Sequence, residues 1–250
     1  MKKITFELEG VDYKIPTYLT IGDYVKIYKV KDLFDEEYFL PRLINILTGA
    51  PVDLLLRTER DKIQMLYEPL LQILPIEQPT FLDRFELDGV EYGFLPNWKK
   101  MTFGEFADLD TLMTKKPDEI LDYLHIITAI MYRPIINSKS KHKFEIEKYN
   151  QVTLEERAEL FKNKLDVEVA LGGQFFFTQF AKNYLNPTQI SLKTWMTISW
   201  IQIKVAWRMR NWIWKAIFKK PLDGSSFLTD FLMMTLQDTQ KLLKNQLSKP

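Results

Sequence analysis

The octapeptide Phe6–Tyr13, FELEGVDY, returns at Phe85–Tyr92 as FELDGVEY, 79 positions later. Both copies set a two-residue turn, Glu9-Gly10 or Asp88-Gly89, between runs that alternate apolar and acidic residues. This pattern predicts a β-hairpin closed by a type I′ turn, in which both central residues take positive φ. The turn fixes the pairing. Leu8 faces Val11, Phe6 faces Tyr13 and Ile4 faces Ile15, while in the second copy Leu87 faces Val90 and Phe85 faces Tyr92. All large apolar side chains then share one face of each ribbon. The other face sets Glu7 across from Asp12 and Glu86 across from Glu91, and both are repulsive pairs. A two-stranded ribbon is only marginally stable, so each must lay its apolar face on helices.

Candidate helices follow at once. After Pro16, Thr20 is a possible cap for a helix with Ile21, Tyr24, Val25, Ile27 and Tyr28 at helical spacing; after Pro96, Thr102, Phe103, Phe106, Leu109 and Leu112 repeat the pattern. TIGDY at Thr20–Tyr24 aligns with TFGEF at Thr102–Phe106, and the Asp35–Val52 segment aligns with Asp118–Ile135. Three blocks in the same order favour internal duplication of a hairpin-helix-helix module over convergence of two hairpin sequences. The proline-bearing stretch Ile73–Phe81 and the polar, weakly patterned Asn137–Asn150 mark the boundaries. The predicted organisation is a first module over 1–79, a second over 80–150 and a helical region over 151–250. The fold class is thus α+β and predominantly α-helical, two similar hairpin-plus-helices modules followed by a C-terminal helical bundle. Ala50–Leu74 supplies one or two further helices. Thr153 with Glu156 reads as a capping box opening the third region, and Gly172-Gly173 in the apolar helix that follows implies close packing or a bend.

With 46% apolar and 27% charged residues the chain can build a core, which excludes disorder. It has no cysteine, so disulfides, thiolate metal sites and a cysteine nucleophile are excluded. The start, MKKITFELEG, carries no apolar run, and no signal peptide is expected. The two histidines, His125 in an apolar helix and His142 in a polar stretch, are too few for a multi-histidine metal site and have no readable catalytic partner. The pairs Glu7/Asp12 and Glu86/Glu91 could hold a cation but lack EF-hand spacing. No glycine pattern matches a nucleotide loop. No catalytic, metal or cofactor residues are therefore assigned.

Net charge is +1, yet Val169–Leu222 holds eight Lys or Arg and no acid, which leaves −7 for the rest of the chain. This basic stretch can face nucleic acid, anionic lipid, an acidic partner or the chain's own acidic half. Within it, Ser191–Lys220 contains five of the six tryptophans, with Lys193, Thr197, Lys204, Arg208, Asn211 and Lys215 on one narrow polar stripe. No window of membrane-spanning length there is free of cations, the stripe is narrow for an interfacial helix, and cations and rings segregate to different sides rather than sharing a nucleic-acid groove. Core or protein interface is the favoured reading. The candidate partner interface comprises Glu7, Asp12, Glu86, Glu91, Trp195, Trp200, Trp207, Arg208, Arg210, Trp212 and Trp214.

The succession DEILDYLHIITAIMYRPI, KFEIEKYN and ERAELFKNKLDVEVALGGQFFFTQFAKNYL resembles a group of small proteins encoded among the tail genes of tailed bacteriophages. In that group a TxGEFxDL segment, here Thr102–Leu109, precedes a helix that ends in Tyr-Arg-Pro. The chain is similar to baseplate-hub or tail-assembly factors of the T4-like kind over about the middle half of its length, and the shared motifs are structural. The resemblance implies a non-enzymatic tail or baseplate assembly protein, a chaperone or hub assembly factor, with other tail or baseplate proteins or a second copy as partners. Membrane and nucleic acid remain the more distant partners, through the basic Trp-rich helix. The implied location is the infected host's cytoplasm or the particle. A structural subunit of the baseplate or connector is the alternative.

Overall fold

Both hairpins form with the expected pairing. In the computed structural model, which describes residues 4–30, 36–73, 80–95, 101–113, 115–140 and 143–184, strands β1 (Ile4–Leu8) and β2 (Val11–Ile15) pair antiparallel with Ile4 opposite Ile15, Phe6 opposite Tyr13 and Leu8 opposite Val11. Strands β3 (Arg84–Leu87) and β4 (Val90–Phe94) repeat the register, with Phe85 opposite Tyr92 and Leu87 opposite Val90. Glu9 and Gly10 have φ of 49° and 81°, Asp88 and Gly89 of 51° and 76°, so both turns lie in the left-handed region that a type I′ turn requires. Even the cross-strand ring pairs match: Phe6 stacks on Tyr13 at 5.6 Å and Phe85 on Tyr92 at 5.4 Å.

The helices that follow begin alike. Helix α1 (Ile21–Val30) opens with the Thr20 hydroxyl accepting from the Asp23 N–H at 3.1 Å, and α6 (Phe103–Met113) opens with the Thr102 hydroxyl accepting from the Glu105 N–H at 3.3 Å. The fourth residue of each aligned TxGD or TxGE stretch thus sits at the same cap position. Ile21, Tyr24 and Ile27 are buried as expected, with Val25 and Tyr28 packed against them. The phase of α6 differs from expectation. Phe103 is 85% exposed, and the buried stripe is Glu105, Leu109 and Met113. A buried ion partner of Glu105, described below, turns that face inward in preference to the aromatic one.

Between the hairpins, α2 (Glu36–Thr48) is followed by three short helices rather than one or two: α3 (Val52–Arg57), α4 (Arg60–Gln64) and α5 (Tyr67–Ile73). In the second half, α7 (Pro117–Ile120), a 3-10 turn at Leu121–Tyr123 and α8 (Leu124–Met131) lead into β5 (Tyr132–Ser140) and β6 (Lys143–Ile146). The Asn137–Asn150 stretch, expected as a boundary segment, is therefore largely sheet. The strand order is β3-β4-β5-β6, with β1-β2 a separate two-stranded sheet. The difference has a physical cause: β6 is a short edge strand with exposed Lys143 and Glu145, charges that discourage unwanted pairing at an edge, and the polar Asn137–Ser140 end of β5 makes the stretch resemble a linker.

Two long helices complete the described chain, α9 (Gln151–Lys164) and α10 (Val167–Tyr184). The cap of α9 is Asn150, whose side chain accepts from the Val152 N–H at 2.9 Å, and not Thr153 with Glu156. Helix α8 is buried along almost its whole length and packs on both α9 and α10. The junction of α9 and α10 is stitched to the start of α1 by Val167 N–H to Leu19 C=O at 2.8 Å and Ile21 N–H to Leu165 C=O at 3.2 Å. One apolar cluster runs from Leu8 to Phe177. The glycine pair of α10 serves close packing: a Cβ on Gly172 would collide with the Thr80 carbonyl, and one on Gly173 would lie 2.7 Å from the Tyr132 ring.

Two glycine substitutions should act in opposite directions. Gly89→Ala must hold a left-handed residue and should lower stability by about 1 kcal/mol. Gly104→Ala, in α6 with open space around its Cβ position, should raise it by about 0.5–1 kcal/mol. Urea denaturation of the two variants measures both.

Candidate functional site

The residues brought together most closely come from four motif blocks that are separated in sequence. Glu105 lies in the first turn of α6 and Arg133 on β5, and the Arg133 Nη2 donates to Glu105 Oε1 at 2.6 Å. Both are buried, at 2% and 4% exposure. The other Glu105 oxygen, Oε2, accepts from the Thr102 N–H. Thr102 and Glu105 thus form a reciprocal capping box. One carboxylate closes a helix end and neutralises a buried guanidinium.

Arg157 of α9 is buried beside this pair. Its Nε donates to the Ala129 carbonyl at 3.0 Å, near the C-terminal end of α8 where carbonyls have no helical partner, and its Nη1 donates to Glu147 Oε2 at 3.4 Å. Glu147 is held by its own N–H, which donates to the Pro134 carbonyl of β5 at 2.8 Å. Nearby, the Tyr149 hydroxyl donates to the Asp108 carboxylate of α6, and the Gln151 amide approaches the same oxygen at 3.4 Å. Burial lowers the pKa of both arginines; Glu105 opposes that for Arg133, and Glu147 for Arg157, while repulsion from Arg133 depresses Arg157 further. Burial first, then the hydrogen bond to Asp108, raises the Tyr149 hydroxyl. The network joins α6, α8, β5, the chain after β6, and α9.

Beside the network lies a groove of about 950 Å³, walled by Lys143–Tyr149 and by Leu95, Ile136 and Lys139, with Arg133 and Glu105 on its inner side. Its apolar lining comprises Leu95, Ile136, Phe144 and Ile146.

The sequence-derived candidates are placed elsewhere. Glu7, Asp12, Glu86 and Glu91 are exposed on the two hairpins, facing each other within each ribbon as expected. Glu91 is relieved by Arg84 on the neighbouring strand at 2.7 Å, and Asp88 at the turn meets Lys164 of α9 at 2.5 Å. No ion pair with a described residue reaches Glu7, Asp12 or Glu86. Trp195, Trp200, Trp207, Arg208, Arg210, Trp212 and Trp214, with the rest of the Trp-rich stretch and His142, lie outside the described residues. Among the described residues no group of His, Asp or Glu is arranged to hold a metal ion, and no helix is long and apolar enough to cross a membrane. His125 is half-buried on α8; burial first, then Lys162, lowers its pKa against the pull of Glu159 and Asp122.

Glu105, Asp108, Arg133, Glu147, Tyr149 and Arg157 were not singled out from the sequence as a set. Two local signals point to part of it: the Thr-x-x-Glu spacing at Thr102 and the single arginine inside the apolar run IMYRPII. No protein-family model, curated protein or solved structure matches the chain.

Removing one member of the buried pair leaves an uncompensated charge. Arg133→Met should destabilise the fold by about 3–5 kcal/mol, and adding Glu105→Gln, which removes the stranded charge, should recover most of that loss. Denaturant unfolding of the single and double variants checks the coupling. The depressed His125 makes the neutral ring the native form. Its stabilising share is full above the unfolded pKa near 6.5 and declines as pH falls through that value towards the lower folded one. Thermal melts from about pH 7 to 5 should therefore show a smaller loss for His125→Gln than for the native chain.

Proposed function

We propose that this chain is a non-enzymatic tail or baseplate assembly protein of a tailed bacteriophage, acting through protein contacts as an assembly chaperone or hub assembly factor. One observation carries the reading: the residues of the motifs that resemble the phage group bond to one another inside the fold. Glu105 and Asp108 of TxGEFxDL meet Arg133 of Tyr-Arg-Pro and Tyr149 of KFEIEKYN, and Glu147 of the same block meets Arg157 of ERAEL. Motifs that fasten helices to a sheet suit a scaffold whose work is done by its surfaces. Two acidic hairpin faces, with Glu7, Asp12 and Glu86 free of described ion partners, offer such surfaces to basic partners.

The mode of action separates a transient helper from a subunit of the particle. Quantitative mass spectrometry of purified virions, alongside affinity capture from infected cells, distinguishes them. The expected result is capture together with tail or baseplate proteins and depletion from mature particles. Recovery in virions at the copy number of baseplate subunits replaces the chaperone with a structural subunit, and failure to capture any tail protein ends the assembly reading.

A further inference from the structure

We propose that the edge of β6 that pairs with no described strand, with the groove beside it, docks an extended acidic segment of a partner protein, which joins the four-stranded sheet as a fifth strand. The inference rests on the assembly reading for its biological setting, and on the following geometry for its place.

Strand β6 ends the order β3-β4-β5-β6, and among the described residues its ladder runs to β5 alone, from Ile146 opposite Ile135 to Lys143 opposite Ser140. Side chains of a strand point alternately to opposite faces, so a groove lying over one face would be lined by every second residue. Here each residue from Lys143 to Tyr149 lines the groove. Arg133, Ile136, Asn137 and Lys139 of β5 line it as well, so the groove spans both strands, and the outer edge of β6, which pairs with no described strand, presents backbone N–H and C=O groups to an added strand.

The charge of the groove selects the occupant. Lys139, Lys143 and Lys148 are exposed on its rim and make no ion pair with a described residue. The acids Glu105 and Glu147 are already paired with Arg133 and Arg157, which leaves Glu145 as the one lining acid set against three lysines. Deeper in, Arg133 is 4% exposed and its Nε–H has no acceptor among the described residues. A buried donor without an acceptor is costly. The apolar lining of Ile136, Phe144 and Ile146 takes apolar side chains. Acidic and apolar residues in alternation, on an extended backbone, meet all of these demands. A lone phosphate would leave both the apolar lining and the strand edge unused.

The test uses the full chain and a fluorescein-labelled peptide of alternating Glu and Val, read by anisotropy at low ionic strength and by amide hydrogen exchange. Two control peptides replace Val by Pro, which has no N–H, or Glu by Lys. The Glu-Val peptide should bind about tenfold more tightly than either control and slow exchange within residues 143–149. The variant Lys139→Glu/Lys143→Glu/Lys148→Glu, with its fold checked by circular dichroism, should weaken that binding about tenfold or more. Equal binding of the Pro peptide overturns strand addition. Complete displacement by inorganic phosphate, with exchange at 143–149 unchanged, makes the groove a small-anion site instead. A dimer in sedimentation that the triple variant dissolves assigns the edge to a second copy, and absence of binding by every peptide ends the proposal. These outcomes are independent of the virion measurement: the peptide can fail while the chain proves an assembly factor, and it can bind while the chain proves a virion subunit.

Discussion

Two guanidiniums buried close enough to repel each other form the constraint around which the described chain from α6 to α9 is arranged. Arg133 and Arg157 reach the interior from a strand and from a helix, and neither can stay charged there without a fixed counter-ion. Glu105 has to arrive from α6 and Glu147 from the chain leaving β6. That requirement sets the rotation of α6 and leaves Phe103 in solvent while Glu105 is buried. It also holds the chain after β6 against β5 through Glu147, and ties α9 to the end of α8 through the Ala129 carbonyl. Replacing such a network with apolar residues of similar volume is often neutral for stability, so its value here lies in specifying one arrangement of five elements.

A second constraint comes from aromatic packing. Tyr132, the residue before Arg133, is wholly buried; its hydroxyl donates to the Leu82 carbonyl at 2.6 Å, and its ring contacts Phe85 and Phe94. Gly173 of α10 lies against that ring, and Gly172 against the Thr80 backbone. Two adjacent residues of one strand thus anchor the aromatic layer and the ionic layer, because successive side chains leave a strand on opposite faces.

The two hairpins show how one local solution acquires different surroundings. Turn, register and stacked ring pair agree in both copies, as does the capped start of the helix that follows. Yet β1-β2 stays a two-stranded ribbon, whereas β3-β4 is extended by β5 and β6. The difference arises where the second copy runs from α8 straight into a strand at Tyr132, while the first copy leaves α2 through Gly49, whose φ is 77°. Pro134 is accommodated in β5, and Tyr92 lies opposite it.

Sequence by itself determined the hairpins, their register, the type I′ turns and the buried face of α1, and left Gly172-Gly173 as close packing or a bend, of which the structure shows the first. These depend on neighbours a few residues apart, and steric limits on φ and ψ with a period of two or 3.6 encode them directly. Only the tertiary structure decided the phase of α6, the cap of α9, the sheet made from a stretch that resembles a linker, and the pairing of Glu105 with Arg133 and of Glu147 with Arg157. An acid in a capping box and an arginine in an apolar run each read as a local feature. What joins them is the cost of burying either charge alone, and that cost exists only once the fold has taken both out of water.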